Sequence, residues 1–337
     1  MKILFLLAGK DLPSTKLRVL EHLKRLDPCR WQWDLAYLPK TPLKRLWILT
    51  KAMAYQGIFI QKKLLHIWEI SLLRALNPRI VFDFDDAIMY PALDPSLNTK
   101  KALSLKVRNS YKNFQRMMVY CQTIIAGNSF LQQEALRFNK NVYPLPTPVD
   151  TDRYNYRATR APGDQIIIGW YGSPGNIPYL QRLGDVLEKI TQKYPQVALK
   201  IISQKFPELP GVRAIHKYWR EEEEVEEIGS FDIGLMPLGD DLWSRGKCGF
   251  KLLKYMALGM PVVATVTEAN RDIVANGIEG FLVSQPQEWL EKLTLLIENP
   301  GLRLQMGRAA REKIETSFSY QALSPLFNTI LEKAYLG

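Results

Sequence analysis

Short apolar, β-branched runs alternate with segments of helical periodicity along this chain, and the alternation occurs twice. In the first series, residues 3–7, 58–61, 79–84 and 123–126 read as buried strands. Residues 15–26 place Leu17, Leu20 and Leu23 at helical spacing between basic residues. A second series opens with a strand at 166–170 and continues with strands at 198–203, 232–236 and 261–265. Helices are expected between and after these, at 180–194, 221–228, 250–258, 289–298 and 301–318. Strands separated by helices need crossover connections, which give parallel sheets covered on both faces. Between the two series, YPLPTPVDTDRYNY (143–156) carries three prolines within five positions, and 157–164 is polar, so this stretch reads as a linker. The 337 residues are enough for two such domains, each with its own core. Open α/β sheets bind ligands beyond the carboxyl ends of their strands, so each domain is expected to offer one crevice.

Charge separates the two series. The chain carries +11 overall, but residues 1–160 hold 26 Lys and Arg against 12 Asp and Glu, while 161–337 hold 19 against 22. The surplus therefore belongs to the first half, which should meet an anionic partner. With 47% hydrophobic and 23% charged residues, the composition excludes disordered, collagenous and coiled-coil chains. Cys29, Cys121 and Cys248 cannot close into pairs and lack metal-site spacing, which fits a reducing, cytoplasmic setting. The apolar opening runs only from Ile3 to Ala8 before Lys10 and Asp11, a strand rather than a signal peptide. The longest apolar stretches are interrupted by Lys51, Gln56, His66 and Glu69, short of the ~20 residues a spanning helix needs.

The chemistry concentrates in PLGDDLWSRGKCGFKLLKYMALGMPVVAT, residues 237–265. The chain leaves a strand through a loop rich in Asp, Gly and basic residues and enters a helix near Gly249. Backbone N–H groups at a helix start, with the helix dipole and Arg245, Lys247 and Lys251, make an anion site. Arg245 offers a two-pronged fork and Lys247 a mobile point charge. Lys254 reads equally as a functional residue or as part of a solvated helix face. Gly246 and Gly249 permit close backbone approach, with turn duty as their alternative.

This stretch resembles the donor-site signature of family 4 retaining glycosyltransferases, in particular a branch with a W-x-R-G-K-C-x-x-K pattern, matched by Trp243, Arg245, Gly246, Lys247, Cys248 and Lys251. Asn128-Ser129 after a strand, PVDTDRY (148–154), IGWYGSP (168–174), FDIGLMPL (231–238), LGMPVVAT (258–265) and NGIEGFLV (276–283) follow that family's order across nearly the whole chain. The resemblance implies an α/β protein of GT-B fold, two Rossmann-like doubly wound domains facing across a cleft. It implies an acceptor-binding domain at 1–155, a nucleotide-sugar-binding domain at 156–318, and a final helix at 319–337 crossing back to the first domain. It implies transfer of a sugar with retention from a nucleotide diphosphate sugar, with Arg245 and Lys251 stabilising the leaving diphosphate. Backbone at Gly172-Ser173 and near Gly249 assists them, so neither a metal nor another cofactor is expected. Lys247, Asn270 and one glutamate of EEEEVEE (221–227), Glu224, are placed with the donor, although that acidic run otherwise reads as a solvated helix face. Many members carry two glutamates where this chain has Gly246 and Lys254, which points to an altered donor site, a nonstandard donor or an inactive protein.

In the first half, VFDFDDA ends a strand with Asp83, Asp85 and Asp86. The resemblance implies that Asp85 and Asp86 line the acceptor side, where one orients the acceptor hydroxyl or acts as base. Asp83 reads as a helix N-cap. The loop GKDLPST places Gly9 after the first strand, Ser14 as a helix cap, and Lys16 and Arg18 in the first turn. Cations oppose the dipole there, so they point to an anionic ligand on the acceptor side, with a solvated basic face as the alternative. His66 is either an acceptor-side residue or simply packed. The basic region at 40–79 carries Lys44, Arg45, Trp47, Lys51, Tyr55, Lys62, Lys63, Trp68 and Arg74. It suits an anionic membrane surface at the cytoplasmic face and a lipid-linked or cell-surface glycan acceptor, with Trp68 expected in the core. Three rivals stand beside this reading: a catalytically silent nucleotide-sugar-binding protein, an epimerase of similar fold, and a nucleic-acid-binding protein. Nucleic acid is not the expected partner, because no binding motif appears and the second half is acidic.

Overall fold

The computed structural model describes residues 1–39, 41–90, 100–155, 165–239 and 241–337. The chain forms two compact units: Met1–Pro148 with Asp241–Cys248 and Tyr320–Gly337, and Val149–Asp240 with Gly249–Ser319.

The first unit is built on β1 (Lys2–Leu7), β2 (Gln32–Tyr37), β3 (Gly57–Gln61), β4 (Ile80–Phe84), β5 (Thr123–Ala126) and β6 (Val142–Pro144). They form one sheet in the order β2-β1-β3-β4-β5-β6, with every pairing parallel. Successive side chains on a strand point to opposite faces, so the continuous apolar runs supply two cores at once. Leu4, Leu6, Ile58, Ile60 and Phe82 bury one face. Ile3, Phe5, Phe59, Val81 and Ile125 bury the other against Phe327, Ile330 and Leu331 of the C-terminal helix Tyr320–Tyr335. That helix is anchored by the Trp31 Nε1 donation to Asn328 Oδ1 (2.9 Å) and the Tyr335 hydroxyl donation to Ile58 O (2.7 Å).

The second unit carries β7 (Ile166–Tyr171), β8 (Val197–Ser203), β9 (Ala214–Tyr218), β10 (Ile233–Met236), β11 (Val262–Thr265) and β12 (Gly280–Val283). Their order is β12-β11-β10-β7-β8-β9, again all parallel. The order reverses between β7 and β10 here, and between β1 and β3 in the first unit. Those reversals open a crevice beyond the carboxyl ends of the flanking strands, which directs attention to the turns after β1, β3, β4 and β7.

Several local expectations change. β2 and β9 are edge strands with exposed residues, and neither WQWDLAY nor AIHKY shows the buried apolar run that marks the central strands. The helix expected at 180–194 is two, Ile177–Gln181 and Gly184–Lys193. Helix Pro13–Thr15 starts with Leu12 at its N-cap, so Ser14 lies inside it and its hydroxyl accepts from Gln61 Nε2. In the acidic run only Glu224–Gly229 is helical. The expected linker begins inside the first sheet: β6 includes Tyr143 and Pro144, and Leu145, Thr147 and Val149 are buried. Residues 156–164 of that linker, and Lys40, lie outside the described residues. Among the described residues no helix is long and apolar enough to cross a membrane.

Candidate functional site

In the second unit, β7 delivers Trp170 and then the turn at Gly172-Ser173, beyond the strand's carboxyl end. The Phe250–Ala257 helix brings Lys251 in its first turn, with Nζ 4.6 Å from the centroid of the buried Trp170 ring. Such a cation–π contact holds an ammonium in place without neutralising it. Gly172 is what admits it: a Cβ there would lie 2.5 Å from Lys251 Nζ and 2.6 Å from Trp170 Cζ2. Gly249, the N-cap of the same helix, has φ 62°, a left-handed conformation that glycine adopts without strain. A side chain there would also collide with Ile273. Asn270 is fully buried beside it; Nδ2 donates to Thr265 O (2.8 Å), while Oδ1 is buried without a hydrogen-bond donor. Gly172, Gly249, Lys251 and Asn270 thus belong to one unit, and a helix start with an adjacent ammonium is an anion-binding arrangement.

Glu224 and Lys254 are neither solvated. Both are buried and ion-paired, Lys254 Nζ to Glu224 Oε1 at 2.7 Å. Trp219 Nε1 donates to Glu224 Oε2 (2.8 Å) and the Tyr154 hydroxyl donates to Oε1. Burial opposes the Glu224 charge, yet Lys254 and these donors hold its pKa at about 2. Lys254 also sits over the rings of Tyr171 (4.7 Å) and Phe250 (5.0 Å). This is a closed polar cluster whose carboxylate is already engaged, so the solvated-face reading of both residues is corrected.

In the first unit, Asp83 is a strand residue rather than an N-cap. It is 2% exposed and receives Arg18 through two nitrogens, Nε to Oδ2 (3.1 Å) and Nη2 to Oδ1 (2.5 Å). Arg18 also donates to Leu145 O (2.9 Å) and Thr147 Oγ1 (3.1 Å) and is 1% exposed. Burial works against the guanidinium charge, but Asp83 raises its pKa above the ordinary value. The solvated basic face is therefore corrected at Arg18, which is an internal brace with its donors directed into the protein. Lys16 is exposed and Gly9 half-buried. His66 is exposed at the N-cap of helix Ile67–Leu76, where its backbone N–H donates to Glu69 Oε2 (2.8 Å); it is not packed. Trp68 is 46% exposed, not a core residue.

Asp85 and Asp86 follow β4, and Lys62 follows β3. Lys62 Nζ pairs with Asp85 Oδ1 (2.9 Å) and with Asp86 Oδ2. Burial and Asp85 raise the Asp86 pKa, while Lys62 and Lys247 oppose the rise. Arg245 ends the short helix Leu242–Arg245. The segment that carries Arg245 and Lys247 groups with the first unit, because Trp243 packs on that unit's core and Asn128 Nδ2 donates to Lys247 O (3.2 Å). Burial lowers the Lys247 pKa, against Asp86 and Asp241. The sequence pattern groups Arg245 and Lys247 with Lys251; by packing they belong to different units. The sequence gives Lys62 only as one basic residue of the 40–79 region, because nothing in QKKLL distinguishes it from its neighbour Lys63. Trp170 stood within a motif, but its cation–π partner is 81 positions away.

Residues 226–313 match the family model described as glycosyl transferases group 1. Over 88 residues the chain is 31% identical to the capsular polysaccharide biosynthesis glycosyltransferase CapM of Staphylococcus aureus, which covers 24% of this chain and 23% of CapM. The match thus spans about a quarter of that curated relative. Among solved structures, HepE of Anabaena in complex with UDP and glucose superposes with a TM-score of 0.71 at 15% identity, over 99% of this chain and 100% of that one. Sucrose-phosphate synthase from Thermosynechococcus elongatus gives 0.73 at 14% identity, over 100% and 99%. The fold is therefore that of the GT-B glycosyltransferases.

Proposed function

We propose that this chain is a retaining glycosyltransferase that moves a sugar from a nucleotide diphosphate sugar to a lipid-linked or cell-surface glycan precursor. The observation that carries this reading is the Lys251 ammonium stacked on Trp170 and admitted by Gly172 at the start of a helix beyond the end of β7. The group 1 match over 226–313 supports it, as does the UDP in the HepE complex. In the proposed step the anomeric C–O bond breaks and its electron pair leaves on the diphosphate. Lys251 and the helix start offset that charge. The acceptor oxygen then bonds to the anomeric carbon on the same face, and its proton passes to Asp86. The second unit serves the donor and the first the acceptor. No divalent metal or other cofactor is part of the proposal.

UDP, tested within a panel of nucleoside diphosphates and their sugars, should raise the melting temperature, since a ligand at 100 times its Kd adds about 2.7 kcal/mol of stability. Donor hydrolysis should then follow for the stabilising sugar and survive EDTA. Binding without hydrolysis would support the silent-binder reading instead, and activity restored only by Mn²⁺ would end the metal-free proposal.

We also propose that the enzyme works as a peripheral protein on an anionic, cytoplasmic membrane face. Trp47 is 62% and Leu43 83% exposed, and Lys51 Nζ lies 3.5 Å from the Trp47 ring centroid. Aromatic side chains beside Lys suit the headgroup boundary. Co-sedimentation with phosphatidylglycerol vesicles but not phosphatidylcholine vesicles is expected, weakened by Trp47→Glu. Equal binding to both lipids, or to neither, would remove this part.

A further inference from the structure

Among the described residues, Lys62 is the one non-glycine with positive φ, at 56°. A left-handed lysine is strained backbone, so something must hold it there. Its backbone N–H donates to Asp83 O (2.6 Å), which ties the end of β3 to β4. Its ammonium reaches Asp85 Oδ1 (2.9 Å) and Asp86 Oδ2, and its side chain is only 20% exposed. The strained backbone thus places one cation between two adjacent carboxylates at the carboxyl ends of two neighbouring central strands.

We propose that Lys62 is a positioning residue: it clamps Asp85 and Asp86 in one arrangement in which Asp86 can receive the proton of the acceptor hydroxyl. This rests on the glycosyltransferase reading above and adds a residue to its acceptor end. Strain retained at a functional end of the sheet is the expected signature of such a role.

The charges around Asp86 decide what removing Lys62 does. Asp85 lies beside it on the same segment, Lys62 faces it from the end of β3, and Lys247 faces it from the 241–248 segment. Behind Asp85 stands Arg18, already bound to Asp83. Without Lys62 the two carboxylates lose a shared cation, while Lys247 still faces Asp86. Two such carboxylates do not both stay ionised, so the proton-bound form of Asp86 persists to higher pH.

The test compares Lys62→Met, Lys62→Gly and Lys62→Arg in the full chain, using UDP-glucose hydrolysis with water as acceptor. Lys62→Gly keeps the left-handed backbone and loses the ammonium, while Lys62→Arg keeps a cation. The Met and Gly variants should lower kcat about tenfold at pH 7 with KM for UDP-glucose unchanged. They should also move the acid limb of the profile upward by about one pH unit, and Lys62→Arg should restore most of both. In parallel, carboxyl-carbon NMR of the ligand-free proteins, assigned with Asp86→Asn, follows Asp86 directly. Its titration should move upward in the Met and Gly variants and not in the Arg variant. An unmoved Asp86 titration overturns the proposal even if hydrolysis falls. If wild-type protein neither binds nor hydrolyses any nucleotide sugar, the glycosyltransferase reading fails separately, and the NMR titration still decides whether Lys62 controls Asp86.

Discussion

Lys251→Ala is expected to lower nucleotide-sugar turnover by about 10²–10³-fold, the range found when one preorganised donor to a developing charge is removed. The ammonium lies over Trp170 with its approach kept open by Gly172, so its position is set before any ligand arrives. A group fixed in advance needs no reorganisation as the leaving diphosphate gains charge. The loss should fall mainly on kcat, because that charge is largest in the transition state. Circular dichroism of the variant should stay near wild type, since the Lys251 side chain is only half-buried. Full activity in the variant would sink the donor-site assignment.

Arg18→Met should destabilise the first unit by about 3–5 kcal/mol in urea unfolding, because it leaves the Asp83 carboxylate buried without its cation. The pair joins the first helical segment to β4, and through Leu145 O and Thr147 Oγ1 to the chain just beyond β6. The double change Arg18→Met with Asp83→Leu should recover most of the loss, since apolar replacement of a whole buried ion pair is often near neutral. A single variant within 1 kcal/mol of wild type would show that Arg18 is not the brace its contacts describe. It bears on the proposed function because Asp85 and Asp86 follow directly from β4.

The turns and the helix start of the candidate site were legible because they are written in local patterns. Gly172, Gly249 and Lys251 stand in loops next to strands or helix starts, where one residue type fits the backbone and another the ligand. Glu224 and Lys254 were harder. They are 30 positions apart, and a glutamate in EEEEVEE looks solvated until Tyr154, Trp219 and Lys254 are seen to close over it. Arg18 and Trp68 show the same limit from both sides. A basic residue in a helical turn is buried by an aspartate 65 positions away, and an apolar tryptophan stays 46% exposed.

By itself the sequence determined the two α/β units, their central strands and the helix start that carries Lys251. Those features follow from short-range periodicity and from the backbone demands of Gly and Pro. The tertiary structure alone decided the partners: Arg18 with Asp83, Glu224 with Lys254, Lys62 with Asp85 and Asp86, and segment 241–248 with the first unit. The physical reason is that an ionisable side chain takes its role from the charge and burial around it. Parallel sheets bring those surroundings together from strands that crossover connections hold far apart in the chain.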